Sequence, residues 1–168
     1  MTKDELREYL EDELLWRTEE INFFKKQLTN LNLEIEQNRY RKSMVLILYS
    51  HLEGFIKSAL LYYAQYINHL QKKRDEFDFA LVATSMNKEF NLYENKNNKS
   101  PLFKNKKVPS DSNIHGLYRR VNLLESSAHM LNQQLVIEDS AIDTESNLWH
   151  VVLQKNLYRL GLPTDMFD

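Results

Sequence analysis

One short run in this sequence sets proton-transferring and charged side chains into an otherwise apolar segment: His51-Leu52-Glu53-Gly54-Phe55-Ile56-Lys57. The imidazole of His51 can accept or release a proton near neutral pH, as acid–base chemistry requires. Glu53 and Lys57 are four residues apart, so on a helix they share a face and can pair. His51 and Glu53 are two apart and do not face each other. Arg41 lies about three turns N-terminal of His51 on the same helix. Two readings follow from these residues. Either Glu53 and Lys57 form an ion pair at a bundle seam with His51 satisfied locally, or the three support a site completed by another segment or a second protomer.

Other chemistries lack their residues. The sequence holds no cysteine, which excludes disulfides, thiolate metal sites and cysteine nucleophiles. His51, His69, His115, His129 and His150 show no metal-ligand spacing, and no cofactor is expected. There is no Gly-rich phosphate loop and no serine in a nucleophile elbow. With 22 basic against 24 acidic residues the net charge is -2, so nothing global calls for nucleic acid or an anionic membrane.

The elements that must position these residues are helices. Of 3 Gly and 3 Pro, the first hundred residues contain one Gly and no Pro. An all-β chain spends such residues on frequent turns. A first helix is expected from Asp4 to the mid-30s, with a seam of Leu10, Leu14, Ile21, Phe24, Leu28, Leu31 and Ile35 and Arg17 filling one position. A turn falls within Asn30–Asn38. A second helix, Tyr40 to Lys73, carries Val45, Leu48, Leu52, Phe55, Ile56 and Ala59 and is nearly apolar all round between Met44 and Tyr49. Gly54 inside it marks the close approach of another backbone. A short helix over Phe77–Phe90 follows.

Asn91–Ser112 reads as a flexible surface loop. From Lys88 to Lys107 six Lys face two Glu, and Lys104, Lys106 and Lys107 are candidate RNA contacts together with Arg41. Further helices span Asn113–Gln134 and Ser146 to the Gly161-Leu162-Pro163 stop, with Ser146 as N-cap and Leu135–Asn147 a polar connection. Trp16, Phe23, Trp149 and Tyr158 lie off the main stripes and suit a self-association surface. The N-terminus lacks an apolar leader. The longest uninterrupted apolar run, Met44–Tyr49, has six residues, so no membrane partner and a cytoplasmic location are expected.

Two segments carry a family resemblance. Arg41 through Lys57, with its HLEGFIK core, resembles the second helix of a prokaryotic defence and toxin-type branch of the HEPN superfamily. Ser146-Asn147-Leu148 leading to Gly161-Leu162 resembles that branch's later helix start and stop. The resemblance implies an all-α, HEPN-like antiparallel helical bundle with two long N-terminal helices, formed by residues 1–168 as a single domain. It also implies a homodimer, metal-independent RNA cleavage, and a cognate antitoxin or defence-system partner. The family's Arg, four to six residues, then His is not found here, since Arg39 and Arg41 stand too far before His51 and Arg119 and Arg120 too far before His129. That helix would follow Gly161-Leu162. The expectation is a scaffold and dimerisation unit in which His51, Glu53 and Lys57 play supporting catalytic roles. The alternative is a non-catalytic helical interaction module.

Overall fold

A computed structural model describes residues 1–107, 113–145 and 148–165. Six α-helices run in chain order through them: α1 (Lys3–Thr29), α2 (Glu34–His69), α3 (Phe79–Ser85), α4 (Asn87–Glu94), α5 (Ile114–Leu131) and α6 (His150–Arg159). Two 3-10 turns lie at Arg74–Glu76 and Asp139–Ala141. No strand occurs among the described residues, and Lys73 and Gln134 form an isolated antiparallel bridge. The chain is all-α, as its scarcity of turn formers requires.

α1 starts on a capping box. The Glu5 N–H donates to the Thr2 hydroxyl at 3.1 Å and the Thr2 N–H to the Glu5 carboxylate at 2.7 Å. That backbone donor holds the Glu5 carboxyl below its ordinary range. The chain reverses at Asn30–Leu33, and α2 returns antiparallel to α1. Tyr9 stacks on Tyr62 at 5.2 Å, and the Tyr40 hydroxyl donates to the Phe24 carbonyl at 3.0 Å. At about 1.5 Å per residue α2 is about 54 Å long, so this hairpin dominates the molecule's shape.

The seam on α1 is largely the expected one, whereas α2 turns a different face inward between Met44 and Leu52. Leu6, Leu10, Glu13, Arg17, Ile21, Phe24, Gln27 and Leu28 are the partly covered positions of α1 and Leu31 follows them in the turn, while Leu14 and Ile35 are 54% and 60% exposed. Between Met44 and Leu52 the covered positions of α2 are Met44, Ile47 and His51, and the expected Val45, Leu48 and Leu52 are exposed, while Phe55, Ile56 and Ala59 are partly covered as expected. Between Met44 and Tyr49 every side chain is apolar, so hydrophobicity alone permitted either face to turn inward. Among the described residues α2 is also the one helix long and apolar enough, by length and composition, to cross a membrane; its 18-residue window has a mean hydropathy of 1.4 and is 6% buried. Counting uninterrupted apolar residues misses this, because polar positions interrupt the run without lowering the average far.

The core lies at the other end of the hairpin. Leu60, Ala64 and Ile67 of α2 pack with Leu81 and Val82 of α3, Met86, Leu153 and Leu157 of α6, and Leu160. Leu135, Ile137 and Ile142 complete it. The segment expected to be a polar connection is thus a strap whose alternate apolar residues plug the core. Its backbone polar groups need partners, and two amide side chains supply them. Asn68 of α2 donates to the Ile137 carbonyl at 2.8 Å and accepts from the Ile137 N–H at 2.7 Å. Asn156 of α6, fully buried, accepts from the Asp143 N–H at 3.0 Å and donates to the Asp143 carbonyl at 2.9 Å. Arg74, also buried, joins three elements through Glu89, Ser85 and the Met130 carbonyl.

Other boundaries move for local reasons. α4 continues through Glu94, so the first four residues of the expected loop are helical. The turns that follow pack on α5: buried Ser100 donates its N–H to His115 Nδ1 at 3.2 Å, and Arg119 donates to the Asn98 carbonyl at 3.3 Å. Residues 108–112 of that loop, and the Ser146 N-cap, lie outside the described residues. α6 starts at His150. It stops as expected, with Gly161 at φ +64° and the Leu162 N–H reaching back to the Leu157 carbonyl at 2.9 Å.

Replacing Asn156 by Ala removes the partner of the Asp143 N–H and carbonyl and leaves a hole in the buried interior where its amide sat. Each such loss costs about 1–3 kcal/mol, so Asn156→Ala is expected to lower unfolding free energy by about 2–4 kcal/mol in urea titration. A loss below about 0.5 kcal/mol would show that the amide does not hold the strap.

Candidate functional site

Gly54 opens a gap in α2, and α1 fills it with a cation. A side chain at position 54 would place its Cβ 2.9 Å from Arg17 Nη1 and 3.3 Å from Arg17 Cζ. The neighbour is therefore a guanidinium, not the backbone that the sequence led one to expect. Arg17 Nη2 donates to the Glu13 carboxylate at 2.7 Å, and its Cζ lies 4.3 Å from the Trp16 ring centroid. Both partners of the ion pair are mostly covered, at 12% and 20% side-chain exposure. Arg17 Nε is buried with no hydrogen-bond partner.

His51 lies one turn before Gly54 and faces the same stretch of α1. Its ring meets Trp16 edge-on at 5.7 Å, and Nε2 lies 3.5 Å from the Glu20 carboxylate. His51 is buried, whereas Glu20 and Trp16 are nearly half exposed. The helix hairpin thus assembles an imidazole, a carboxylate that orients it and a guanidinium on adjacent turns. These are the group types that acid–base catalysis with anion stabilisation uses. Access is the missing element. Trp16 and Glu20 cover the imidazole, and Arg17 is stacked and ion-paired, so a phosphodiester reaches neither without displacing a side chain.

The other expected site residues do not converge on His51. Glu53 and Lys57 share a helix face but form no ion pair, and Lys57 is exposed. Arg41 spends its guanidinium on Asn38 at 2.8 Å and Gln37 at 3.2 Å, about 15 Å along the helix from His51. Lys104, Lys106 and Lys107 are exposed on the turns that pack against α5. The residues missed in the sequence were Glu13, Trp16, Arg17 and Glu20. A signal existed: an Arg in a heptad seam needs a small residue opposite it, and Gly54 is the one glycine in the first hundred residues. Three His/Cys/Asp/Glu groups able to hold a metal ion do not cluster anywhere among the described residues.

Arg17 and Gly54 are expected to be energetically coupled. In an Arg17→Ala background, Gly54→Ala should stabilise the protein by about 1 kcal/mol, the helix-propensity gain. In wild type most of that gain should vanish because the guanidinium must move. A double-mutant cycle in urea should give a coupling of at least about 0.5 kcal/mol; additive effects would show that the contact does not constrain the helices.

The protein-family model described as RiboL-PSP-HEPN matches residues 12–168. Comparison with curated proteins and with solved structures gives no match.

Proposed function

This chain belongs to the RiboL-PSP-HEPN family, and on that footing we propose that it serves a bacterial antiviral-defence or toxin–antitoxin system associated with metal-independent RNA cleavage, acting there as scaffold and dimerisation unit. The observation that carries this reading is the pairing of an inaccessible His51 with an uncovered apolar face. Val45, Leu46, Leu48 and Leu52 of α2 are exposed, Leu46 to 73%, and so are Leu15, Trp16 and Phe23 of α1. The Leu148 N–H donates to the Tyr49 hydroxyl at 2.7 Å, and the next residue, Trp149, is exposed as well. A face of this kind is what an association surface requires.

In this reading residues 1–168 form one HEPN-like domain that pairs with a second copy. A cognate antitoxin or defence partner is a further occupant of such surfaces. The Arg-and-His pair comes from another segment or protomer. His51, Glu53 and Lys57 shape the hairpin that presents it, and Arg41, Lys104, Lys106 and Lys107 contribute positive charge toward RNA. No metal or cofactor enters, and the setting is the cytoplasm. The uncovered face also favours a second reading, a purely non-catalytic interaction module.

Light scattering at ~100 µM, where specific pairs are well populated, is expected to give a dimer, and Leu46→Glu a monomer with unchanged helix content. A strict wild-type monomer would overturn the dimerisation role. Purified chain incubated with total RNA and EDTA is expected to leave the RNA intact, because an unassisted phosphodiester lacks the ~10²–10⁴ that positioned acid–base catalysis gives. Robust metal-independent cleavage lost in His51→Ala would make the hairpin itself an active site.

A further inference from the structure

α5 is turned the opposite way from an ordinary surface helix. Such a helix lays its apolar stripe on the protein and gives its polar side to water. α5 packs on α4 and on the turn at Arg74–Glu76. Its partly covered positions include the polar His115, Arg119, Asn122 and Ser126 beside Leu123 and Met130. Two of these polar side chains take part in the packing. His115 Nδ1 accepts from the Ser100 N–H at 3.2 Å, and Arg119 Nη1 donates to the Asn98 carbonyl at 3.3 Å. The other side of the helix carries Leu117, Val121, Leu124 and Ala128, all exposed, Leu124 to 73%. Their 4-3-4 spacing sets them on one line along about 16 Å of helix. A stripe with the spacing of a core therefore faces outward.

The two edges of that stripe carry opposite charges. At about 100° per residue Arg120 falls on one flank and Glu125 on the other. Neither has an ion-pair partner among the described residues, and Arg120 Nε donates to the Gly116 carbonyl one turn back at 3.4 Å. An apolar line between a positive and a negative edge describes its counterpart. That counterpart is a helix with apolar residues at the same spacing, acidic where it meets Arg120 and basic where it meets Glu125. A second copy fits less well. Four side chains on one helix fall short of the ~800 Å² per partner that holds two folded domains together. A single docking helix is recognised through a few anchors at this spacing.

We propose that the outer face of α5 is a docking site for one amphipathic helix of a partner protein. Its apolar stripe lies on Leu117, Val121 and Leu124, its acidic edge on Arg120 and its basic edge on Glu125. The site is on a different helix from the hairpin face offered to a second copy, so the proposal does not depend on the dimer or on RNA cleavage.

Fluorescence anisotropy of a short labelled peptide tests it on the full chain. The peptide carries leucine at the same spacing, glutamate along one edge and lysine along the other. Saturable binding at ~100 µM or tighter is expected, and a peptide of the same composition in scrambled order should bind at least about tenfold more weakly. Leu124→Glu should weaken binding at least about tenfold, and its exposed position should leave the fold intact. Arg120→Glu should weaken binding severalfold at low salt, and a peptide with lysine on both edges should restore it. Leu46→Glu, which opens the proposed dimer, should bind as the wild type does. No saturable binding, or binding indifferent to the order of the peptide, would overturn the proposal. So would binding lost in Leu46→Glu but kept in Leu124→Glu, which places the helix on the hairpin. Leu46→Glu chains that still pair in light scattering until Leu124→Glu is added would place a second copy on α5 and overturn it as well.

Discussion

Arg17 lying across the gap at Gly54 fixes how the two long helices meet. An arginine in a helix seam normally has to extend to solvent. Here the absent side chain at position 54 lets the guanidinium lie flat, stacked on Trp16 and paired with Glu13. That placement selects one rotation of α2. Met44, Ile47 and His51 turn toward α1, and Val45, Leu48 and Leu52 turn outward. The uncovered face, the covered imidazole and the edge contact of Trp16 with His51 all follow from this choice.

At the opposite end the hairpin is anchored rather than exposed. The strap after α5 would be an irregular segment with unmet backbone groups if left to itself, and burying such groups is costly. Asn68 and Asn156 meet them, and the strap can then plug Leu135, Ile137 and Ile142 into the core. Arg74 ties the same region to α4 and α5. The protein is therefore well packed where α3, α6 and the strap gather, and thinly covered along the outer hairpin. The proposed pairing with a second copy relies on this division.

Much of this was legible in the residues. The all-helical class followed from the placement of Gly and Pro, and the α6 stop followed from Gly161, whose φ of +64° few other residues tolerate. The exposure of Trp16, Phe23, Trp149 and Tyr158 followed from their position off the stripes. The α1 seam was largely legible, but the inward face of α2 between Met44 and Leu52 was not, because that stretch is apolar on more than one side and periodicity then has two solutions. The strap was misread for a related reason. Its apolar residues Leu135, Val136 and Ile137 are consecutive and show no helical period, and the amides that satisfy its backbone are distant in sequence. For the site, the sequence marked His51 and Gly54 but not what covers them, since Trp16, Arg17 and Glu20 come from another helix whose register only the fold reveals.

The central claim is that the outer hairpin completes its burial against a second copy, with its apolar face as the contact. Amide hydrogen exchange along Met44–Leu52, followed as a function of protein concentration, tests this most directly. The account predicts that protection in this stretch, and in Leu14–Phe23 of α1, rises with concentration while the core residues Leu60–Ile67 stay unchanged. Protection that is uniform and independent of concentration up to ~100 µM, well above the range of specific association, would contradict it.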